Sequence, residues 1–181
     1  ALLGRAVGEA FRSDITLRGA LQPIVADRGR RRHSFFEIAR LHRRLTLARA
    51  IATLEVNACM GLIVAAPTAG AAGVLPAILL SVGEFMELDD ERLIDGMLVA
   101  GGVGGVIAHR ASLSGAEGGC QAETGTAAAM GAAAVCWMGG GDNDQVATAV
   151  ALALQGMLGL ICDPIGGLVE IPCIYRNASA A

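Results

Sequence analysis

The chain has 181 residues, 54% of them hydrophobic and only 3% aromatic, with a formal net charge of −3. That length suits one domain with a buried core, and the charge balance leaves no basic footprint for nucleic acid. All fourteen basic side chains are arginine. Without lysine to form a Schiff base, pyridoxal-phosphate and lysine-aldol chemistry are excluded within the chain, and so is a phosphate-binding P-loop.

The abundance of Ala, Gly, Leu, Val and Ile predicts an all-α fold, a compact bundle of small-residue-rich helices whose backbones approach closely. Eleven of the fourteen arginines fall in the first 49 positions. Positions 1–45 are therefore read as a basic, helical, solvated region, and 46–181 as the remaining domain. Within the first part, Gly4 to Arg12 and Ser34 to Leu45 have helical spacing, the latter with Phe35, Ile38, Leu41 and Leu45 on one face. Thr46 to Ala65 continues as a long helix, stopped by Pro67 and the spaced glycines Gly70 and Gly73. Val74 to Leu88 resumes the helix, and Asp89-Asp90-Glu91 opens the next, running to His109.

Ser112 to Gly119 is a second glycine-rich turn, leading into a helix from Cys120 to Met138. Gly139-Gly140-Gly141 ends that helix, Asp142 or Asn143 caps another that runs to Ile161, and the tail from Cys162 to Asn177, with two prolines and paired glycines, is not one regular element. No strand alternation stands out. The apolar stretch Val146 to Ile161 is broken by Gln155 and falls short of the ~20 residues a membrane span needs. No basic-then-apolar leader opens the chain. The expectation is a cytoplasmic protein with no membrane contact.

Three of the five cysteines lie on small-residue turns: Cys120 after Gly118-Gly119, Cys162 before Asp163-Pro164, and Cys173 after Pro172. Thiolates in such places read as metal ligands, and three without a matching fourth leave one coordination position open. Cys59 and Cys136 sit inside apolar helical runs and read as small buried hydrophobes. The ligand candidates are 42 and 11 positions apart, unlike the paired Cys-x₂₋₄-Cys of structural zinc or the usual ferredoxin spacing. On spacing alone, a three-cysteine cluster and a trio of buried structural thiols remain equal alternatives.

The flanking residues separate them. Ser112-Leu113-Ser114-Gly115-Ala116-Glu117-Gly118-Gly119-Cys120-Gln121-Ala122-Glu123-Thr124-Gly125, the run Leu158 to Ala178 containing Cys162-Asp163-Pro164-Ile165-Gly166-Gly167 and Glu170-Ile171-Pro172-Cys173-Ile174-Tyr175-Arg176-Asn177, and Glu55-Val56-Asn57-Ala58-Cys59-Met60-Gly61 leading to Ala66-Pro67-Thr68-Ala69-Gly70-Ala71-Ala72-Gly73, together resemble the α part of the iron–sulfur L-serine dehydratases. The resemblance covers positions 46 to 178. It implies that Cys120, Cys162 and Cys173 hold a 4Fe–4S cluster with one iron free of protein thiolate, that L-serine is converted to pyruvate and ammonia, and that a β subunit or domain is a partner in an oligomer. Upstream, where that family carries a Ser/Gly-rich segment with a Gly-Gly-Asp turn, this chain has Arg30-Arg31-Arg32-His33-Ser34.

An open iron suits this elimination, because a Lewis acid turns hydroxide into a workable leaving group without lysine. Thr68, Ala69 and Gly70 on the first loop, Ser112 and Ser114 on the second, and Gln121 and Glu123 beside Cys120 are the substrate-binding candidates. Taken singly, capping is the plainer role for each polar one. His109 is the weak candidate for a general base; His33 and His42 read as surface residues, and the resemblance places the base on the β part. The alternatives are a cysteine desulfidase-type elimination with sulfide leaving, and a non-catalytic iron–sulfur helical subunit.

Overall fold

The computed structural model describes residues 35–167 and 170–181. The predicted helix at Gly4–Arg12 and the arginine run around Arg30 lie outside them. Seven α-helices are found among the described residues: α1 (Phe35–Ala58), α2 (Val74–Met86), α3 (Asp90–Arg110), α4 (Gly115–Gly118), α5 (Cys120–Met138), α6 (Asn143–Met157) and α7 (Glu170–Ala180), with a 3₁₀ turn at Ala69–Ala71. No strand occurs among the described residues, so the all-α expectation holds.

Helix α5 is the axis of the bundle, contacting α2, α3, α6 and α7, while α1 packs on α2 and α7. Its small side chains set the geometry. Ala127, Ala129, Ala133 and Ala134 are fully buried, so neighbouring backbones come close on several sides. The larger side chains then seat on glycines. A Cβ at Gly96 or Gly104 of α3 would meet the Met138 or Met130 sulfur at 2.8 and 2.9 Å. Leu75, Leu79, Ala100, Met130, Ala134 and Met138 form one core cluster, and Ala71, Val74, Ile78 and Ala127 a second. The stretch Ala69–Met86 is apolar and long enough by composition to cross a membrane, but 61% of it is buried in this core.

The helix ends follow local chemistry. Asp89 caps α3 by accepting from the Arg92 N–H at 2.9 Å. Asp142, not Asn143, caps α6 in a reciprocal box with Gln145, both bonds at 2.9 Å. Three helices close with the paired bonds of a Schellman motif. For α1 these are Gly61 N–H to Val56 O and Met60 N–H to Asn57 O, with Met60 at φ 60°. Glu87 plays the same part after α2 and Gly140 after α5.

Three boundaries differ from the sequence reading. Helix α1 stops at Ala58 instead of Ala65, because its Schellman closure turns the chain out before Leu62-Ile63-Val64. Those apolar residues suggest continuation, yet Leu62 and Val64 are exposed. Helix α6 stops at Met157 instead of Ile161, and Gly159 then turns at φ 88°. The tail contains a full helix, α7, because Pro172 falls in its first turn, where a missing N–H costs nothing.

Candidate functional site

Three irregular segments, residues 59–73, 111–119 and 158–167, come together around the first turn of α5. Gly119 makes this possible. Its φ of 73° belongs to the left-handed side, and a Cβ there would lie 2.8 Å from Leu160 O and 3.0 Å from Ile161 Cα. The third loop therefore rests directly on the residue before Cys120. Gln121 fastens it twice: its N–H donates to Leu160 O and its Oε1 accepts from Gly159 N–H, each at 2.9 Å.

Glu123, one turn along α5, joins the other two loops. A Cβ at Gly70 would lie 3.3 Å from both carboxylate oxygens, and one at Gly115 would lie 2.5 Å from Oε2. Glycine at both positions leaves the carboxylate in a slot between the first and second loops. No cation is bonded to it among the described residues, and it stands near enough to Cys173 to act on that thiol. Thr68 precedes the 3₁₀ turn in the same loop. Its Oγ1 is buried and has no hydrogen-bond partner among the described residues. A buried hydroxyl without a protein partner is a place where a water or a ligand group can bond.

The other sequence candidates have plainer surroundings. Ala69 is exposed. Ser112 donates to Glu117 and accepts from the Ser114 N–H at 3.0 Å, so both serines shape the second loop. His109 is exposed on the last turn of α3, and no bond links it to the loops among the described residues.

All five cysteines are free. Cys120 is buried at 2% exposure, Cys173 is half-buried and Cys162 is exposed. Cys173 is pushed up to about 11, first by burial and then by Cys120, Glu123 and Cys162, with Arg176 opposing. Cys120 and Cys162, from two other segments, both lie within electrostatic reach of Cys173. Arg176 donates to the Cys120 sulfur at 3.0 Å and to Ile161 O at 2.8 Å, and it pairs with Asp163, next to Cys162. Cys136 lies elsewhere, its sulfur against Gly141 at the far end of α5, and Cys59 is exposed just after α1.

Three free thiols on separate segments, two of them acting on the third, are a donor set of the kind an iron–sulfur cluster takes. No three His, Cys, Asp or Glu side chains among the described residues converge tightly enough to chelate one metal. A cluster asks each thiolate to reach a different iron, which suits three sulfurs on separate segments. Cys120 opens a 19-residue helix.

Two residues escaped the sequence reading as individuals. Arg176 and Asn177 were visible only as members of a motif. Asn177 is fully buried. Its Nδ2 donates to Gly70 O at 2.7 Å and Cys173 O at 2.8 Å, while its Oδ1 accepts from Gly73 N–H at 3.0 Å. It thereby ties the Cys173 helix to the first loop. A polar pair following a cysteine near the helix middle was the available signal.

Comparison with known proteins gives the family. The family model described as serine dehydratase alpha chain matches residues 6–181. The chain belongs to that family. Over 135 residues it is 53% identical to the probable L-serine dehydratase, alpha chain, of Bacillus subtilis strain 168, covering 75% of this chain and 45% of that one. It is 50% identical over 133 residues to the L-serine dehydratase, alpha chain, of Peptoniphilus asaccharolyticus, covering 74% and 46%. Against L-serine dehydratase TdcG of Escherichia coli K12 the identity is 46% over 130 residues, covering 71% and 29%. The matched part thus spans less than half the length of these relatives.

Proposed function

We propose that this chain is the cluster-bearing alpha part of an L-serine ammonia-lyase, a lyase that needs no pyridoxal phosphate and works with a beta chain or domain. The observation that carries this reading is the meeting of the Cys120, Cys162 and Cys173 segments at the first turn of α5, beside a carboxylate and a buried hydroxyl that have no partner among the described residues. Cys120, Cys162 and Cys173 would hold a 4Fe–4S cluster. When bound, that cluster supplies a Lewis acid at the iron lacking a protein thiolate, for the hydroxyl that leaves.

The chain's own residues do the rest of the binding. Glu123 receives the substrate ammonium in the slot between Gly70 and Gly115. Thr68 Oγ1 is placed to donate to the substrate carboxylate, which relieves its own burial. Glu123 also raises the proton affinity of any group beside it, so the slot favours the protonated amine. The elimination breaks the Cα–H and Cβ–O bonds and expels water, and hydrolysis of the resulting enamine consumes water and releases ammonia, leaving pyruvate. The base that takes the Cα proton is assigned to the beta part, since His109 stands exposed on α3. A reducing, cytoplasmic setting suits five free thiols.

The test is anaerobic reconstitution with ferrous iron and sulfide, followed by assay with the beta chain of pyruvate from L-serine and of sulfide from L-cysteine. Broad visible absorption, its bleaching in Cys162→Ser and its retention in Cys136→Ser support the reading, as does pyruvate from serine. A colourless protein, or preferential release of sulfide from cysteine, refutes it.

A further inference from the structure

We propose that Arg176 is the positioning residue of the thiolate site, one guanidinium that holds the Cys120 sulfur and the Cys162 loop in register with Cys173. The inference rests on the cluster reading above and concerns how the chain keeps three separated thiolates on one group.

Arg176 lies three residues beyond Cys173 in α7, so the two share a helix face. From there Nη1 reaches the Cys120 sulfur at 3.0 Å and the Ile161 carbonyl at 2.8 Å. Its Nη2 pairs with Asp163, the residue after Cys162. Every ligand-bearing segment is therefore touched by, or carries, this one side chain. The side chain is 20% exposed and Asp163 is 56% exposed. The bond to sulfur is thus shielded, while the ion pair sits at the rim.

A guanidinium is suited to this task in a way an ammonium is not. Its donors fan out in a fixed plane, so sulfur, carbonyl and carboxylate are met at once without losing rotamer freedom for each. A hydrogen bond to a ligand sulfur also draws charge from the metal group and raises its reduction potential. Asp163 holds the far side of the fork to the Cys162 loop, while Nη1 stays on the sulfur through its own bonds to Cys120 and Ile161. A purely structural pin for the loop would account for the bonds to Ile161 and Asp163, but it has no need of the sulfur.

The experiment compares full-length wild type, R176Q, R176K and D163N, each checked for helix content, after anaerobic loading with ferrous iron and sulfide. R176Q is expected to lose iron to a chelator about tenfold faster or more, with a more negative reduction potential. R176K is expected to follow R176Q, since it keeps the charge but not the fork. D163N should lose iron faster while retaining the wild-type potential, because the bond to sulfur survives. Folded R176Q with wild-type potential and iron retention overturns the proposal, as does full rescue by R176K. Should R176Q not fold, R176K alone decides on the same two readouts. Wild type that takes up no iron refutes the cluster reading instead, a separate result.

Discussion

Asn177 holds Gly73 across 104 residues of sequence: its Oδ1 accepts the glycine N–H at 3.0 Å with no exposure to solvent. Through Nδ2 the same amide closes on Gly70 O and Cys173 O. One side chain thus satisfies three backbone groups and fixes the distance between the first loop and the Cys173 helix. Asn177→Ala removes the buried bond to Gly73 and the two part-buried ones, at a cost of about 3 kcal/mol. Asn177→Asp keeps the shape but turns an oxygen toward two carbonyls, with a similar loss. Thermal unfolding should show a drop of about 10 °C for either, and an unchanged midpoint would remove Asn177 from this role.

Gly119 permits the approach of the third loop to Cys120. In Gly119→Ala the new Cβ meets Leu160 O and Ile161 Cα, and the residue is held at φ 73°. Backbone strain of about 1–3 kcal/mol follows, and the loop carrying Cys162 must move away. The expected outcome is a folded protein with markedly weaker iron retention after reconstitution. Wild-type retention in this variant would show that the loop is not held against Cys120.

If Glu123 receives the substrate ammonium as proposed, its slot offers two independent tests. Glu123→Gln removes the charge and keeps the size; Gly115→Ala keeps the charge and displaces the carboxylate, since the added Cβ falls 2.5 Å from Oε2. Both should raise KM for serine by about tenfold or more, the loss of one charge-assisted bond. Steady-state kinetics with the beta chain present measure this directly. A change in kcat alone would move Glu123 from binding to another step.

The thiols of the metal-free chain should alkylate in an order set by exposure and charge. Cys162 and Cys59 are exposed and react first, while Cys120 at 2% exposure lags. Cys173, raised to about 11 by burial, Cys120, Glu123 and Cys162, is almost wholly protonated near neutral pH. Its thiolate fraction, and with it the alkylation rate, should climb about tenfold per pH unit until the pH passes its raised pKa. Peptide mapping after timed iodoacetamide exposure gives the order. After reconstitution, Cys120, Cys162 and Cys173 should be protected and Cys59 should not.

Much of this protein is set down in its local sequence. Small residues at close spacing dictate a helical bundle, because only glycine and alanine let α3 and α2 seat their larger partners on α5. Asp89 and Asp142 mark helix starts since their side chains cap N–H groups within three residues. Absence of lysine leaves this stretch of chain without a Schiff-base amine. Cysteines on glycine and proline turns, with their flanking motifs, mark the ligand candidates.

Other features depend on contacts between residues far apart in the chain. The Schellman end of α1 at Met60 defeats the apolar run after it, since backbone closure there outweighs hydropathy. The reach of Arg176 to Cys120 over 56 residues and the clamp of Asn177 on Gly73 over 104 exist only once α7 is packed in place, and the slot around Glu123 only once the loops bearing Gly70 and Gly115 meet at α5. Hydrogen bonds at 3 Å are decided by where whole helices pack, and side-chain spacing along one segment carries no information about that. Residue types therefore named the three thiols, and tertiary packing decided which charged and polar groups surround them.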